Sequence, residues 1–139
     1  MRAILALLIG GLVQDNPPVV YRTLDAGLNS RIALHRELVL RSPGAWQLIW
    51  FKHHGEGDAP AVDMRREMVL ALFAGRRPTH ASSLDIVSLT KEAGELVVRY
   101  RVRTAAEAPA SRVDAHDTPF LIIAVPGDAG PVRFLEVHE

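Results

Sequence analysis

The residues of this chain that could do chemistry are its histidines, aspartates, serines and arginines. His53, His54 and Asp58 lie within one short stretch, and His116 adjoins Asp117 in another. Imidazole and carboxylate ligands of this kind can hold zinc. An adjacent histidine pair, however, cannot easily turn both rings onto one ion, and the separated two-histidine spacing of helical metalloproteases does not occur. Solvated, glycine-rich loop histidines are the preferred reading. Ser30, Ser42, Ser82, Ser83, Ser88 and Ser111 offer hydroxyls, but none sits in the Gly-x-Ser-x-Gly setting that exposes a nucleophile on a strained turn. Asp114 and Asp117 flank His116 as they would in any polar loop, and nothing marks a buried site that would split their pKa values. No glycine-rich phosphate loop follows a strand and opens a helix. The chain therefore reads as non-enzymatic, with no cofactor. A small metal-dependent or hydrolytic enzyme using these loop His and Asp residues is the alternative.

Arg99, Arg101 and Arg103 repeat with period two and would line one side of a strand. Such a stripe could receive an acidic partner or a phosphate chain, although a solvated outer face is the plainer reading. The whole chain has 16 basic and 16 acidic side chains over 139 residues, which removes the bulk electrostatic case for nucleic-acid binding. Cysteine is absent, so disulfides, thiolate zinc sites and a thiolate nucleophile are excluded. Apolar residues at 48% and charged ones at 23% make an ordinary globular mixture.

These residues must be positioned by a β-rich scaffold. Val19–Leu24 reads as a strand running into a turn at Asp25-Ala26-Gly27, and Ile32–Arg41 as a second extended run. Ser42-Pro43 looks like a helix start, with Ser42 as N-cap and Pro43 at the first helical position. Trp46, Ile49 and Trp50 have the i, i+3, i+4 spacing of an apolar face, and the helix should end before Gly55. The two tryptophans are expected to anchor the helix to a sheet, with Phe51 flanking them, rather than to line a ligand pocket. Met68–Ala74 is a continuous apolar run, as in a strand covered on both faces. Leu84–Thr90 and the alternating Glu95–Arg103 should form a hairpin across Lys91–Gly94. In the second arm Leu96, Val98, Tyr100 and Val102 point one way, and the arginines the other. Phe120–Val125 and Val132–Val137 close the chain. The expected fold is a small, mostly antiparallel, β-rich α+β domain of about six to seven strands with one helix packed on the sheet.

The beginning of the chain has a different character. Ala3–Val13 is an unbroken apolar run of 11 residues behind Arg2, stopped by Gln14, Asp15, Asn16 and two prolines. That layout is expected to be a secretory leader over residues 1–14, too short for a membrane-spanning helix. The single domain then occupies 19–139. It would be exported, periplasmic or extracellular, with no membrane insertion after leader removal.

Two segments carry a family resemblance: LVLRSPGAWQLIW, and APAVDMRREMVLALFAGRRPT with its Pro-x-Val-Asp stretch, apolar strand and Gly-x-x-Pro-Thr. The hairpin SLDIVSLTKEAGELVVRYRVR and the closing DTPFLIIAVP and GPVRF follow in the same order. Together they resemble the C-terminal domain family of PrcB, the accessory subunit of a spirochaete surface protease complex, over Tyr21–Phe134. The resemblance implies a bacterial protein-binding module whose partner is a protein, a protease by analogy, which it helps assemble or stabilise. Family members continue Pro-Thr with Gly-Gly-Tyr-Ser, whereas this chain has His80-Ala81-Ser82-Ser83. The loop is also loosely similar to that of chagasin-type cysteine protease inhibitors, which makes inhibition a third reading. Contact is expected at the loop Gly75–Ser83, through Arg76, Arg77, Pro78, Thr79, His80 and Ser82, and along Arg99, Arg101 and Arg103. Pro78 would fix the loop, Thr79 and His80 would present polar groups, and the arginines would pair with carboxylates.

Overall fold

A computed structural model of the chain describes residues 16–77, 81–104 and 117–138. The elements run β1 (Arg22–Gly27), β2 (Arg36–Leu40), α1 (Pro43–His54), β3 (Glu67–Phe73), β4 (Ala81–Glu92), β5 (Glu95–Thr104), β6 (Phe120–Pro126) and β7 (Val132–Glu136). The fold class is the expected β-rich α+β one. The strands, however, divide into two sheets: an antiparallel one of order β1-β6-β3-β2, and one of order β4-β5-β7 in which β7 runs parallel to β5. Strand periodicity identifies faces, not partners, which is why the division is invisible in the sequence.

The apolar runs at β3 and β6 now have a physical reason. Met68, Leu70 and Leu72 of β3, with Leu121, Ile123 and Val125 of β6, pack against Leu84, Leu89, Leu96, Val98 and Tyr100 of the second sheet. Val69, Ala71 and Phe73, with Phe120 and Ile122, face the other way onto Trp46 and Trp50 of α1. From Met68 to Phe73 and from Phe120 to Val125 every residue is buried on one face or the other, so alternation is lost. The result is three layers: helix, four-stranded sheet, three-stranded sheet.

The helix starts and stops where its residues dictate. Ser42 Oγ accepts from Ala45 N–H at 3.2 Å, Pro43 follows, and Gly55 closes the helix at φ +96°. Trp46 is 3% exposed, and its Nε1 donates to the Pro60 carbonyl at 2.9 Å. His53 and His54 belong to this helix, not to a polar loop.

Three boundaries differ from expectation. β1 is displaced to Arg22–Gly27, so Asp25-Ala26-Gly27 is strand rather than turn, with a bulge between Thr23 and Asp25. Pro18 and Val19 instead lean across to the second sheet, where Val19 N–H donates to Leu89 O at 2.8 Å. β2 is shortened to Arg36–Leu40, because Ala33 turns its carbonyl to Arg76 N–H at 2.9 Å. The β4–β5 hairpin is longer than expected and turns on Ala93 and Gly94, at φ 51° and 83°. The leader expected at residues 1–14 lies outside the described residues. Among the described residues no helix is long and apolar enough to cross a membrane.

Candidate functional site

The end of the sandwich where β3 finishes and β4 begins is built around one carboxylate. Asp117 is 2% exposed; its Oδ2 accepts from Ala81 N–H at 2.8 Å, and its carbonyl accepts from Arg77 N–H at 2.9 Å. The residues on either side of 78–80 are thus bound to the same side chain and backbone. Neighbouring contacts hold the same base. Ala74 N–H donates to Pro119 O at 2.9 Å, and Arg77 Nη2 reaches both oxygens of Glu136 at 3.3 Å. Gly75 has φ +80°, and a Cβ there would lie 2.8 Å from the His35 backbone nitrogen, so only glycine fits. A buried carboxylate that accepts backbone N–H groups rigidifies what it joins, because breaking it strands polar groups away from water. The sequence treated Asp117 as part of a solvated loop; it is instead the clasp of the loop base. Its position just before the Phe120 strand was the only available signal.

Strand register joins the two regions expected to make contact. Ala81 lies opposite Thr104, Ser83 opposite Arg103, and Asp85 opposite Arg101. Ala81, just past residues 78–80, and the far half of the arginine stripe therefore share one end of the molecule, while Arg99 lies further along the strand. Arg76 is exposed there and Arg77 is half-buried against Glu136. Pro78, Thr79 and His80 lie outside the described residues, as do Asp114 and His116; Ser82 falls in β4, and its side chain is outside the description.

The stripe itself is not a bare basic face. Arg99 donates to Glu92 at 2.7 and 3.3 Å, and Arg103 Nε donates to Asp85 Oδ2 at 2.7 Å. β4 supplies these carboxylates from the neighbouring strand, a pairing that a stripe read on one strand alone cannot reveal. Arg99, then Thr90, hold the Glu92 carboxyl down to about 2 by hydrogen bonds to its ionised form. Beyond Arg99 the character changes: Arg101, Val102, Arg103, Thr104, Val137 and His138 line a cleft of about 340 Å³.

A second polar knot sits on the opposite face of the four-stranded sheet. His53 is 3% exposed; its Nδ1 lies 2.7 Å from Ser30 Oγ and its Nε2 2.9 Å from Asp25 Oδ2. These are the three residue types of a hydrolase relay, brought together from β1, a loop and α1. Their surroundings give them structural work. The ring is walled by Trp50, Phe73 and Phe120, and Ser30 Oγ also accepts from Ile32 N–H at 3.0 Å. None of the clefts described is lined by Ser30 or His53. His54 turns away and stacks on Trp50, and Asp58 is exposed. Among the described residues no group of three His, Asp or Glu side chains is placed to hold a metal ion.

Tyr100 closes the inner face of β5 by donating to Glu37 Oε2 at 2.5 Å. Burial first, then this hydrogen bond and the charge of Glu37, push its hydroxyl well above the ordinary phenol range, so it stays a donor. A cleft of about 500 Å³ between β1 and β4 has Leu84, Phe120 and Leu121 among its walls. Two of its polar residues are turned to one another, with Ser83 Oγ donating to Asp85 at 2.9 Å.

No known protein family, curated protein or solved structure matches the chain.

Proposed function

We propose that this chain is a non-enzymatic, exported binding module. It docks on a protein partner, a protease by the resemblance of its segments to the PrcB C-terminal domain, and assists that partner's assembly or stability. The observation that carries the reading is the clasp: Arg77 N–H binds the Asp117 carbonyl and Ala81 N–H its carboxylate, so the described residues on either side of 78–80 are joined through one buried residue. Loops held on rigid scaffolds are where binding residues collect. The exposed Arg76 and the Arg101–Arg103 cleft at the same end add polar groups suited to a protein surface. The enclosure of Ser30 and His53 weighs against the hydrolytic alternative, since a nucleophile must be reached by its substrate.

The test is affinity capture from the exported fraction of the host, using the tagged full chain and a variant with residues 78–80 replaced by Gly-Ser-Gly. The expected result is a protease recovered in stoichiometric amount with the parent and lost with the variant. Recovery of the same proteins with both, or of nothing from a chain whose intact mass shows an unprocessed N-terminus, would overturn the reading.

A further inference from the structure

We propose that the slot between β2 and α1 receives the C-terminal residue of a partner polypeptide, an apolar side chain carrying a free carboxylate. This rests on the reading of the chain as a binding module and names the part of the partner that one of its surfaces would recognise. Ile32, Leu38 and Ile49 are half-buried and wall a cleft of about 120 Å³, and the exposed Arg36 and Lys52 complete its lining. That volume takes one aliphatic or aromatic side chain, whereas clefts for drug-sized molecules start at about 300 Å³. Neither Arg36 nor Lys52 has a carboxylate or hydrogen-bond partner for its charged group among the described residues. Other strand arginines make the contrast: Arg22, Arg99 and Arg133 are held by Glu67, Glu92 and Glu95. No acidic residue occurs in α1, and Glu37, beside Arg36 in sequence, lies on the other face of β2, where it accepts from Tyr100. Two uncompensated cations beside apolar walls call for a ligand that is apolar with one anionic end.

The surroundings favour the end of a chain over a free small molecule. β2 is the outer strand of its sheet, so one side of its backbone has no strand partner among the described residues. An extended peptide can hydrogen-bond along that edge while its last side chain fills the slot. Leu48 and Phe51, on the outer side of α1, are 54% and 58% exposed and offer apolar contact to the residues that precede the last one. The slot also lies toward the clasped end of the sandwich. Arg36 stands opposite Phe73 in the β2–β3 register, and Gly75 packs against the His35 backbone.

The experiment titrates the isotope-labelled full chain with an acetylated Ala-Ala-Val-Leu peptide bearing a free carboxylate and follows backbone amide shifts. The amidated peptide, a version ending in serine, octanoate and vesicles of phosphatidylglycerol are run alongside. The expected result is a saturable shift at residues 32, 36–38 and 49–52, weakened about tenfold by amidation and by Arg36→Gln, and untouched by Arg65→Gln. The folded spectrum of each variant serves as the check that the sheet is intact. No saturable shift, equal binding of the amidated or serine-ended peptide, octanoate bound as tightly as the peptide, binding of vesicles but not of peptide, or indifference to both Arg36→Gln and Lys52→Gln would each overturn the proposal. Failure here with a protease still captured through residues 78–80 would remove the slot alone. Capture of nothing, with the peptide still bound through Arg36, would remove the accessory role and leave the slot standing.

Discussion

The two ends of the sandwich are closed by different physics. At the hairpin end the chain turns on Ala93 and Gly94, and the 127–131 loop is held by groups near solvent. Asp128 accepts from Gly130 N–H at 2.8 Å and pairs with Lys91, and Arg41 donates to the carbonyls of Asp128 and Gly130 at 3.1 and 2.8 Å. At the loop end the organising carboxylate, Asp117, is buried and bound to backbone. Exposed ion pairs contribute little and are screened by salt, whereas a buried charge with its hydrogen bonds removed is costly. A buried polar joint thus links the described residues on either side of 78–80, and more exposed joints close the far end.

That difference can be broken at several points. Asp117→Ala should have the largest effect, because it strands the Ala81 N–H in the interior; a loss of about 3 kcal/mol in chemical denaturation is expected. Gly75→Ala comes next, at about 2 kcal/mol, since it forces a side chain into positive φ and against the His35 backbone. Tyr100→Phe removes one donor from Glu37 and should cost about 1 kcal/mol by the same measurement. A loss at Asp117 no greater than that of Asp128→Ala would erase the contrast between the ends.

The exposed pairs make their own, smaller prediction in pH. Hydrogen bonds from Arg99 and then Thr90 hold the Glu92 carboxyl of the folded chain down to about 2, below its ordinary value of 4.5. The stability it contributes is present above its unfolded pKa and is lost as pH falls through the folded value, a window of roughly pH 4.5 down to 2. Glu92→Gln should lower the thermal midpoint slightly at neutral pH, leave it nearly unchanged near pH 2, and so flatten the acid limb between. An unaltered acid limb would mean that the Arg99 pair contributes nothing to folding.

Much of the scaffold was legible from residue order alone. Ser42-Pro43, the two tryptophans four apart and Gly55 define the helix by cap, face and stop, all of them local effects. The double coverage of Met68–Ala74 and the alternation after Gly94 were equally visible, because burial writes its period directly into the chain. The site was less so. Asp117 acts on Ala81 across 36 positions, and Ser30 meets His53 across 23, and neither pairing leaves a mark in its own neighbourhood. The arginine stripe was seen, but its carboxylate partners on β4 depend on strand register, which alternation does not specify. His53 looked like a loop residue because its helix is polar in its last turn; only the packing against Phe73 and Phe120 explains its burial.

The central claim is that the clasped end, and not the hairpin end, meets a partner. The most direct measurement places a photo-crosslinking side chain at Arg76 in one version of the chain and at Arg65 in another, with irradiation in the host. Both positions are exposed, and they lie at opposite ends of β3. A discrete crosslinked product from position 76, identified as a protease and absent from position 65, is the result expected. The same products from both positions, or a product from position 65 alone, would contradict the account.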